Sequence, residues 1–251
     1  MSTGEGAWDA AENGVDVVLA DSFPASDPPS WVPTTAETSV STSEMPAATA
    51  RGRMNQRSAM TTYTVGYFVG SLAKASINRK LANALVRLAP AELSLTEIPF
   101  RDLPLYCYDS DADFPPTARS LKEAIAAVDA VLFVTPEYNR SIPGGLKNAI
   151  DWASRPHGQN SFSRKPSAII GTSPGKIGTA IAQTHLRSIM AFCNSPLMNS
   201  IEAYIQFEKG LITDDGEVTN ESTAKFLGSF MQEFHGFIGR VYTVLPRPSG
   251  E

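Results

Sequence analysis

From Tyr63 onward, apolar positions follow two alternating rhythms. "TYTVGYFVG" (Thr62–Gly70), "LSLTEI" (Leu93–Ile98), "AVLFVT" (Ala130–Thr135) and "SAIIGT" (Ser167–Thr172) are short, β-branched or aromatic, and bounded by turn residues. They read as strands. Between them, "SINRKLANALVRLA" (Ser76–Ala89) places Ile77, Leu81, Ala84, Leu85 and Leu88 on one helical stripe. "TARSLKEAIAAVD" (Thr117–Asp129) and "IGTAIAQTHLRSIMAFC" (Ile177–Cys193) read as helices, as does "GLKNAIDWAS" (Gly145–Ser154), which buries Leu146, Ile150 and Ala153. "PLMN" (Pro196–Asn199) is expected as a short last strand, and "ESTAKFLGSFMQEFHGFIGRVY" (Glu221–Tyr242) as a closing helix. Five strand–helix alternations predict an α/β fold, a five-stranded parallel sheet with helices on both faces. The doubly wound strand order 2-1-3-4-5 follows as the expectation.

The first 60 residues do not share this pattern. They are rich in Ser, Thr, Ala and Pro, and "SFPASDPPSWVP" (Ser22–Pro33) is interrupted by Pro24, Pro28, Pro29 and Pro33. The expectation is a disordered acidic extension over 1–60, with Phe23 and Trp31 as a local docking segment, followed by a folded domain over 61–245. The N-terminus carries no basic start and no apolar stretch of the kind a secretory signal needs.

Charge divides the same way. The chain of 251 residues carries −5 overall. Residues 1–50 hold Glu5, Asp9, Glu12, Asp16, Asp21, Asp27, Glu37 and Glu44 and no Lys or Arg. The rest, with 21 basic residues against 26 acids less those 8, carries +3. A body so weakly basic gives no case for nucleic acid. No run of 18 apolar residues occurs, so no membrane helix is expected. Cys107 and Cys193 are expected as free thiols in a cytoplasmic protein.

In a 2-1-3-4-5 sheet the ends of strands one, three and four lie side by side. Each carries a distinctive loop. "GSLAKASINRK" (Gly70–Lys80) offers the hydroxyls of Ser71 and Ser76, with Asn78 opening the helix. A helix N-terminus with small hydroxyl residues suits phosphate, and Ser76 is equally a plain N-cap. The loop is neither G-x-G-x-x-G nor a Walker loop. The second loop runs from Thr135 to Gly145. Pro136 cannot continue the ladder, and Pro143-Gly144-Gly145 opens the next helix and allows close backbone approach. Glu137 is a candidate acid or base, but no paired carboxylate accompanies it, so use of the loop's backbone is favoured. The third loop is "GTSPGKIGT" (Gly171–Thr179).

That third loop matches G-x-S-x-G, the nucleophile elbow of hydrolases, and His235 follows Asp214 and Asp215 in triad order. The elbow's oxyanion hole requires the N–H of the residue after the nucleophile. Here that residue is Pro174, which has none, so the hydrolase reading fails. His157, His185 and His235 are scattered without metal-ligand spacing, and no metal site is expected. Trp152 is expected in the core, and Lys147 and Asp151 as an i,i+4 surface pair.

Together, "GSLAKASINRKLA", "VTPEYNRSIPGGLKNAIDW" and "TSPGKIGTAIAQTHLR" resemble the NAD(P)H-dependent FMN reductases of the flavodoxin-like superfamily, nearest to the bacterial chromate and quinone reductases. "IPFRDLPLYCYD" (Ile98–Asp109) resembles the family's segment after strand two. The resemblance spans about Tyr63–Tyr242 and implies a flavodoxin-like three-layer sandwich. It implies that Ser71, Ser76 and Asn78 hold the FMN phosphate. Pro136, Glu137, Tyr138 and Asn139 would line the isoalloxazine, largely through main-chain N–H groups, with Ser173 and Gly175 closing the other side. It implies a hydride passing from NADPH or NADH through bound FMN to small acceptors such as quinones, flavins, chromate or azo compounds. No catalytic side chain is then required. Ala73 stands where the family usually has Arg, with Lys74 next, and Lys does not reproduce Arg geometry. Arg140 stands where close relatives carry a Tyr associated with tetramers, leaving a homodimer as the expectation. The alternative from another class is a non-enzymatic FMN electron carrier.

Overall fold

The computed structural model describes residues 61–247. The extension expected over 1–60, with Phe23 and Trp31, lies outside the described residues. Five parallel strands form one sheet in the order β2-β1-β3-β4-β5. They are β1 (Tyr63–Val69), β2 (Leu93–Glu97), β3 (Ala130–Val134), β4 (Ser167–Ser173) and β5 (Tyr204–Gln206). The helices are α1 (Ile77–Leu88), α2 (Pro116–Ala126), α3 (Gly144–Ala153), α4 (Ala180–Phe192) and α5 (Glu221–Val244). Registers run Val65↔Ala130 to Val69↔Val134 between β1 and β3, and Val131↔Ser167 to Val134↔Ile170 between β3 and β4. This is the doubly wound flavodoxin-like architecture expected from the alternation of patterns.

Strand periodicity sorts the core into two layers, because successive side chains point to opposite faces. Val65, Val69, Leu132, Val134 and Ile170 pack under α1 and α5 with Leu81, Leu85, Phe230 and Phe234. Phe68, Val131, Phe133 and Ile169 pack under α2, α3 and α4 with Leu121, Ile125, Leu146, Trp152 and Leu186. All five residues of β3 are buried, as a central parallel strand requires. Phe133 stacks on Phe68 at 5.3 Å between ring centroids. Trp152 is fully buried as expected, its indole N–H donating to the Pro104 carbonyl at 2.7 Å, with Tyr106 and Phe114 edge-on, each at 5.0 Å.

One strand is not where the pattern put it. Pro196–Asn199 makes a single isolated bridge, Ser167↔Leu197, whereas the ladder to β4 is Tyr204–Gln206, paired Gly171↔Tyr204 to Ser173↔Gln206. The physical reason is exposure. β5 is a three-residue edge strand whose outer positions face solvent and whose Ile205 alone is buried, so it shows no apolar run. Helix α4 also starts at Ala180 rather than Ile177. Gly178, at φ 58°, holds a left-handed turn, and a Cβ there would sit 2.8 Å from the Tyr204 backbone.

Candidate functional site

The carboxyl ends of β1, β3 and β4 are adjacent in the sheet, and each leads into a loop and then a helix. The loops after β1, β3 and β4 are therefore brought together at the switch point of the fold. Two glycine-type contacts set how closely they approach. Gly70 packs against Pro136, and a Cβ on Gly171 would lie 2.1 Å from the Thr135 carbonyl oxygen.

The first loop, Gly70–Ser76, is anchored at both ends. The Gly70 N–H donates to the Val134 carbonyl at 2.8 Å, and Ser76 Oγ caps α1 by accepting from the Arg79 N–H at 3.2 Å. Ser71 and Ser76 are both buried. Arg101 donates to the Leu72 carbonyl at 2.5 Å and holds the loop from the β2 side. Between these anchors, the N–H groups of Leu72 and of Lys74 to Asn78 meet no acceptor among the described residues. The first turn of α1 contains no acidic residue. Unpartnered N–H groups at the positive end of a helix suit an anion of phosphate size. Ala73 and Lys74, at the departure from the family pattern, are exposed.

Asn78 carries a structural tie of its own. It is 1% exposed, and its carboxamide is engaged on both sides, donating to the Thr172 carbonyl at 2.9 Å and accepting from the Thr172 N–H at 3.1 Å. It ties the start of α1 to the end of β4, and the second N–H of its carboxamide meets no acceptor among the described residues. Nearby, Arg79 grips Glu97 at the end of β2 with both of its Nη atoms. That bond raises the Arg79 pKa above its ordinary value. Burial, reinforced by Glu97, pushes the neighbouring Tyr67 phenol up.

The second loop leaves the sheet at Pro136, which is buried. Tyr138 and Ser141 then pair through both backbone bonds, at 2.9 and 3.0 Å, around a two-residue turn. Both turn residues, Asn139 at φ 51° and Arg140 at φ 61°, are left-handed, which suits Asn but strains Arg. Tyr138 is half exposed, and its hydroxyl lies 3.3 Å from Ser71 Oγ, linking the second loop to the first. Glu137 turns its carboxylate away into the third loop's helix, where it accepts from the N–H groups of Ile181 and Ala182, both at 3.1 Å. It is thus not a free acid or base. Its own N–H and that of Asn139 meet no acceptor among the described residues.

In the third loop, Ser173 Oγ donates to the Gly178 carbonyl at 2.6 Å and accepts from the Gly175 N–H at 3.2 Å. The hydroxyl that mimicked a nucleophile is the clasp of its own loop. His235 lies elsewhere, bonded to the Thr61 carbonyl at 2.9 Å ahead of β1, at the opposite end of the sheet from Ser173. No triad forms. Lys147 and Asp151 make the expected pair at 2.7 Å.

Comparison with known proteins decides what these loops belong to. Residues 63–210 match the sequence pattern of the NADPH-dependent FMN reductases. The chain belongs to the NADPH-dependent FMN reductase family. It is 49% identical over 174 residues to a 2-hydroxy-1,4-benzoquinone reductase of a Burkholderia species, covering 69% of this chain and 95% of that one. It is 47% identical over 177 residues to a quinone reductase of Pseudomonas putida, covering 70% and 95% respectively. Among solved structures it is similar to FerB, a flavoenzyme NAD(P)H:(acceptor) oxidoreductase from Paracoccus denitrificans, at 48% identity and a TM-score of 0.69, covering 71% of this chain and 98% of that one. The chain is accordingly an FMN-dependent NAD(P)H oxidoreductase, and the reading as a non-enzymatic carrier is set aside. No described helix is long and apolar enough to cross a membrane.

The donor set fits such a cofactor: free N–H groups beside buried hydroxyls for the phosphate, and free loop N–H groups at Glu137 and Asn139 for a polar ring edge. Sequence reading missed the ties that bind the loops to one another: Asn78 to Thr172, Glu137 to α4, and Ser141 Oγ to His185 Nδ1 at 3.0 Å. One signal for the second was available. Helix α4 has no acidic residue in its first turn.

Proposed function

We propose that this enzyme reduces small quinones with NADPH or NADH, in the cytoplasm, as a homodimer. The observation that carries the choice of acceptor is the 49% identity, across nearly the whole of the relative, with a reductase of a hydroxylated benzoquinone. Ser71, Ser76 and the N–H groups of Leu72 and Lys74–Asn78 hold the FMN phosphate. The main chain of Pro136, Glu137, Tyr138 and Asn139 lines the isoalloxazine, and Ser173 and Gly175 shape the opposite wall. Asn78 serves the site by fixing the first loop to β4. When bound, FMN would supply the redox chemistry, a two-electron transfer from the nicotinamide to the acceptor. The chain binds, orients and offers N–H groups where negative charge develops, so no acid–base pair is needed. Three further features support the reading. Cys107 and Cys193 are both free thiols, as a reducing compartment keeps them. Leu105, Tyr108 and Phe192 are exposed at 85%, 71% and 91%, which is apolar surface of the kind a subunit interface covers. The Lys74 ammonium beside the first loop is available to an anionic nucleotide.

An acceptor screen with the purified, FMN-loaded protein tests the proposal. Benzoquinones and naphthoquinones are expected to give higher kcat/KM than free flavins, chromate or azo dyes with at least one nicotinamide. A protein that turns over free FMN best, and quinones not at all, is a flavin reductase and not the enzyme proposed.

A further inference from the structure

Helix α4 is not capped from within its own segment. Thr179, at the N-cap, makes no side-chain capping bond, and its Oγ1 accepts from Gln183 Nε2 at 3.0 Å. The cap is supplied by Glu137, 44 residues before Ile181. Its Oε2 accepts from both first-turn N–H groups, and its Oε1 accepts from Arg140 Nη1 at 3.2 Å. The Glu137 side chain is only 8% exposed, while that of Arg140 is 68% exposed. The same carboxylate therefore closes the helix and braces the left-handed Asn139–Arg140 turn, and Ser141 and His185 make a second link across the same seam. A buried carboxylate at a helix N-terminus is favoured by the helix dipole as well as by its two N–H donors.

We infer that Glu137 is a positioning residue for the flavin, its carboxylate locking the Tyr138–Ser141 turn onto α4 so that the free N–H groups of Glu137 and Asn139 hold a single orientation. The inference rests on FMN occupying the three loops. It assigns the side chain a role distinct from that of its own main chain. It also explains why a carboxylate in such a loop needs no catalytic partner: both of its oxygens are already committed. Arg140, in place of an aromatic, shares the task by holding Oε1.

The test uses the full chain, stripped of FMN and titrated with FMN by flavin fluorescence, with melting followed by circular dichroism. Glu137→Ala is expected to raise the FMN Kd by about tenfold or more, the loss of a helix cap expressed as binding. Glu137→Gln keeps an oxygen for the α4 N–H groups but loses the charge that Arg140 answers, and is expected to raise Kd by about threefold. Asn220→Ala removes the cap of α5, where Asn220 Oδ1 accepts from the Thr223 N–H at 2.9 Å, and should lower the melting temperature with Kd unchanged. The midpoint potential of bound FMN is expected to shift in the Glu137 variants and not in Asn220→Ala. Folded Glu137→Ala and Glu137→Gln proteins that both bind FMN within about twofold of the wild type overturn the inference. If Glu137→Ala does not fold, Glu137→Gln alone decides by the same criterion. A wild-type chain that binds no FMN overturns the three-loop site itself, whereas tight wild-type binding with unaltered variants overturns only the role of the carboxylate.

Discussion

Asn78→Ala tests whether the first and third loops are held together as described. Asn78 and Thr172 are 1% and 0% exposed, and the carboxamide answers both the N–H and the carbonyl of Thr172. Truncation removes two hydrogen bonds and leaves two buried backbone groups without that partner. At ~1–3 kcal/mol for each group so stranded, the loss is about 3 kcal/mol, with ~2–6 as the range. For a domain of this size that corresponds to ~6–12 °C in Tm, at ~2–4 °C per kcal/mol. Asn78→Asp is nearly isosteric but turns the donor into an acceptor facing the Thr172 carbonyl. It should be at least as costly, since it buries a charge against a carbonyl oxygen. Urea unfolding of the apoprotein gives the free-energy change directly, and linear extrapolation with unchanged m values would show that only the native state was affected. A loss below about 1 kcal/mol for Asn78→Ala, or a neutral Asn78→Asp, would refute the argument, because no buried reciprocal pair can be so cheap to break.

Three further outcomes follow from the same geometry. Phe133→Ala removes a fully buried ring from the centre of the second core layer and should cost ~3–5 kcal/mol by denaturant unfolding, against ~0.5 kcal/mol or less for an exposed position such as Val244. Gly171→Ala drives a Cβ to 2.1 Å from the Thr135 carbonyl and should destabilise by ~1–3 kcal/mol while raising the FMN Kd, since the ends of β3 and β4 must part. Tyr242, whose hydroxyl donates to the Asp129 carbonyl at 2.5 Å, has its pKa pushed up to about 12 from 10.0, by burial first and by the Asp129 carboxylate second. A raised native pKa means stability that is complete below pH 10 and is lost as pH rises through about 12. Tyr242→Phe should therefore flatten the decline in stability across that alkaline window, and an unchanged slope would remove Tyr242 as its source.

The parts of the fold legible in the sequence are those where burial leaves a periodic trace. The stripe of Leu81, Ala84 and Leu85 and the unbroken run Ala130–Val134 give α1 and β3 directly, because a helix face and a central parallel strand admit few alternatives. β5 was misplaced because an edge strand with one buried residue leaves no such trace, whereas Pro196–Asn199 has the apolar look without the ladder. At the site, the loops were legible through their Pro, Gly and Ser content, but the allegiance of individual side chains was not. Asn78 and Thr172 are 94 residues apart, and Glu137 and Ile181 are 44 apart. Such pairings are properties of the sheet order, and only once β1, β3 and β4 are set side by side does Asn78 become a brace and Glu137 a cap. Ser173 shows the reverse case: its motif was legible, and the chemistry of Pro174 already forbade the obvious reading.

The central claim is that three loops at the carboxyl ends of β1, β3 and β4 hold FMN for electron transfer from NAD(P)H to a quinone. Its most direct test is anaerobic: the FMN-loaded chain is mixed first with NADPH or NADH, then with a benzoquinone, while the flavin absorbance is followed. The account predicts bleaching on the first addition and full return on the second, with one quinone reduced per nicotinamide consumed. A flavin that stays oxidised with both nicotinamides, or one that bleaches but is not restored by quinone, would contradict it.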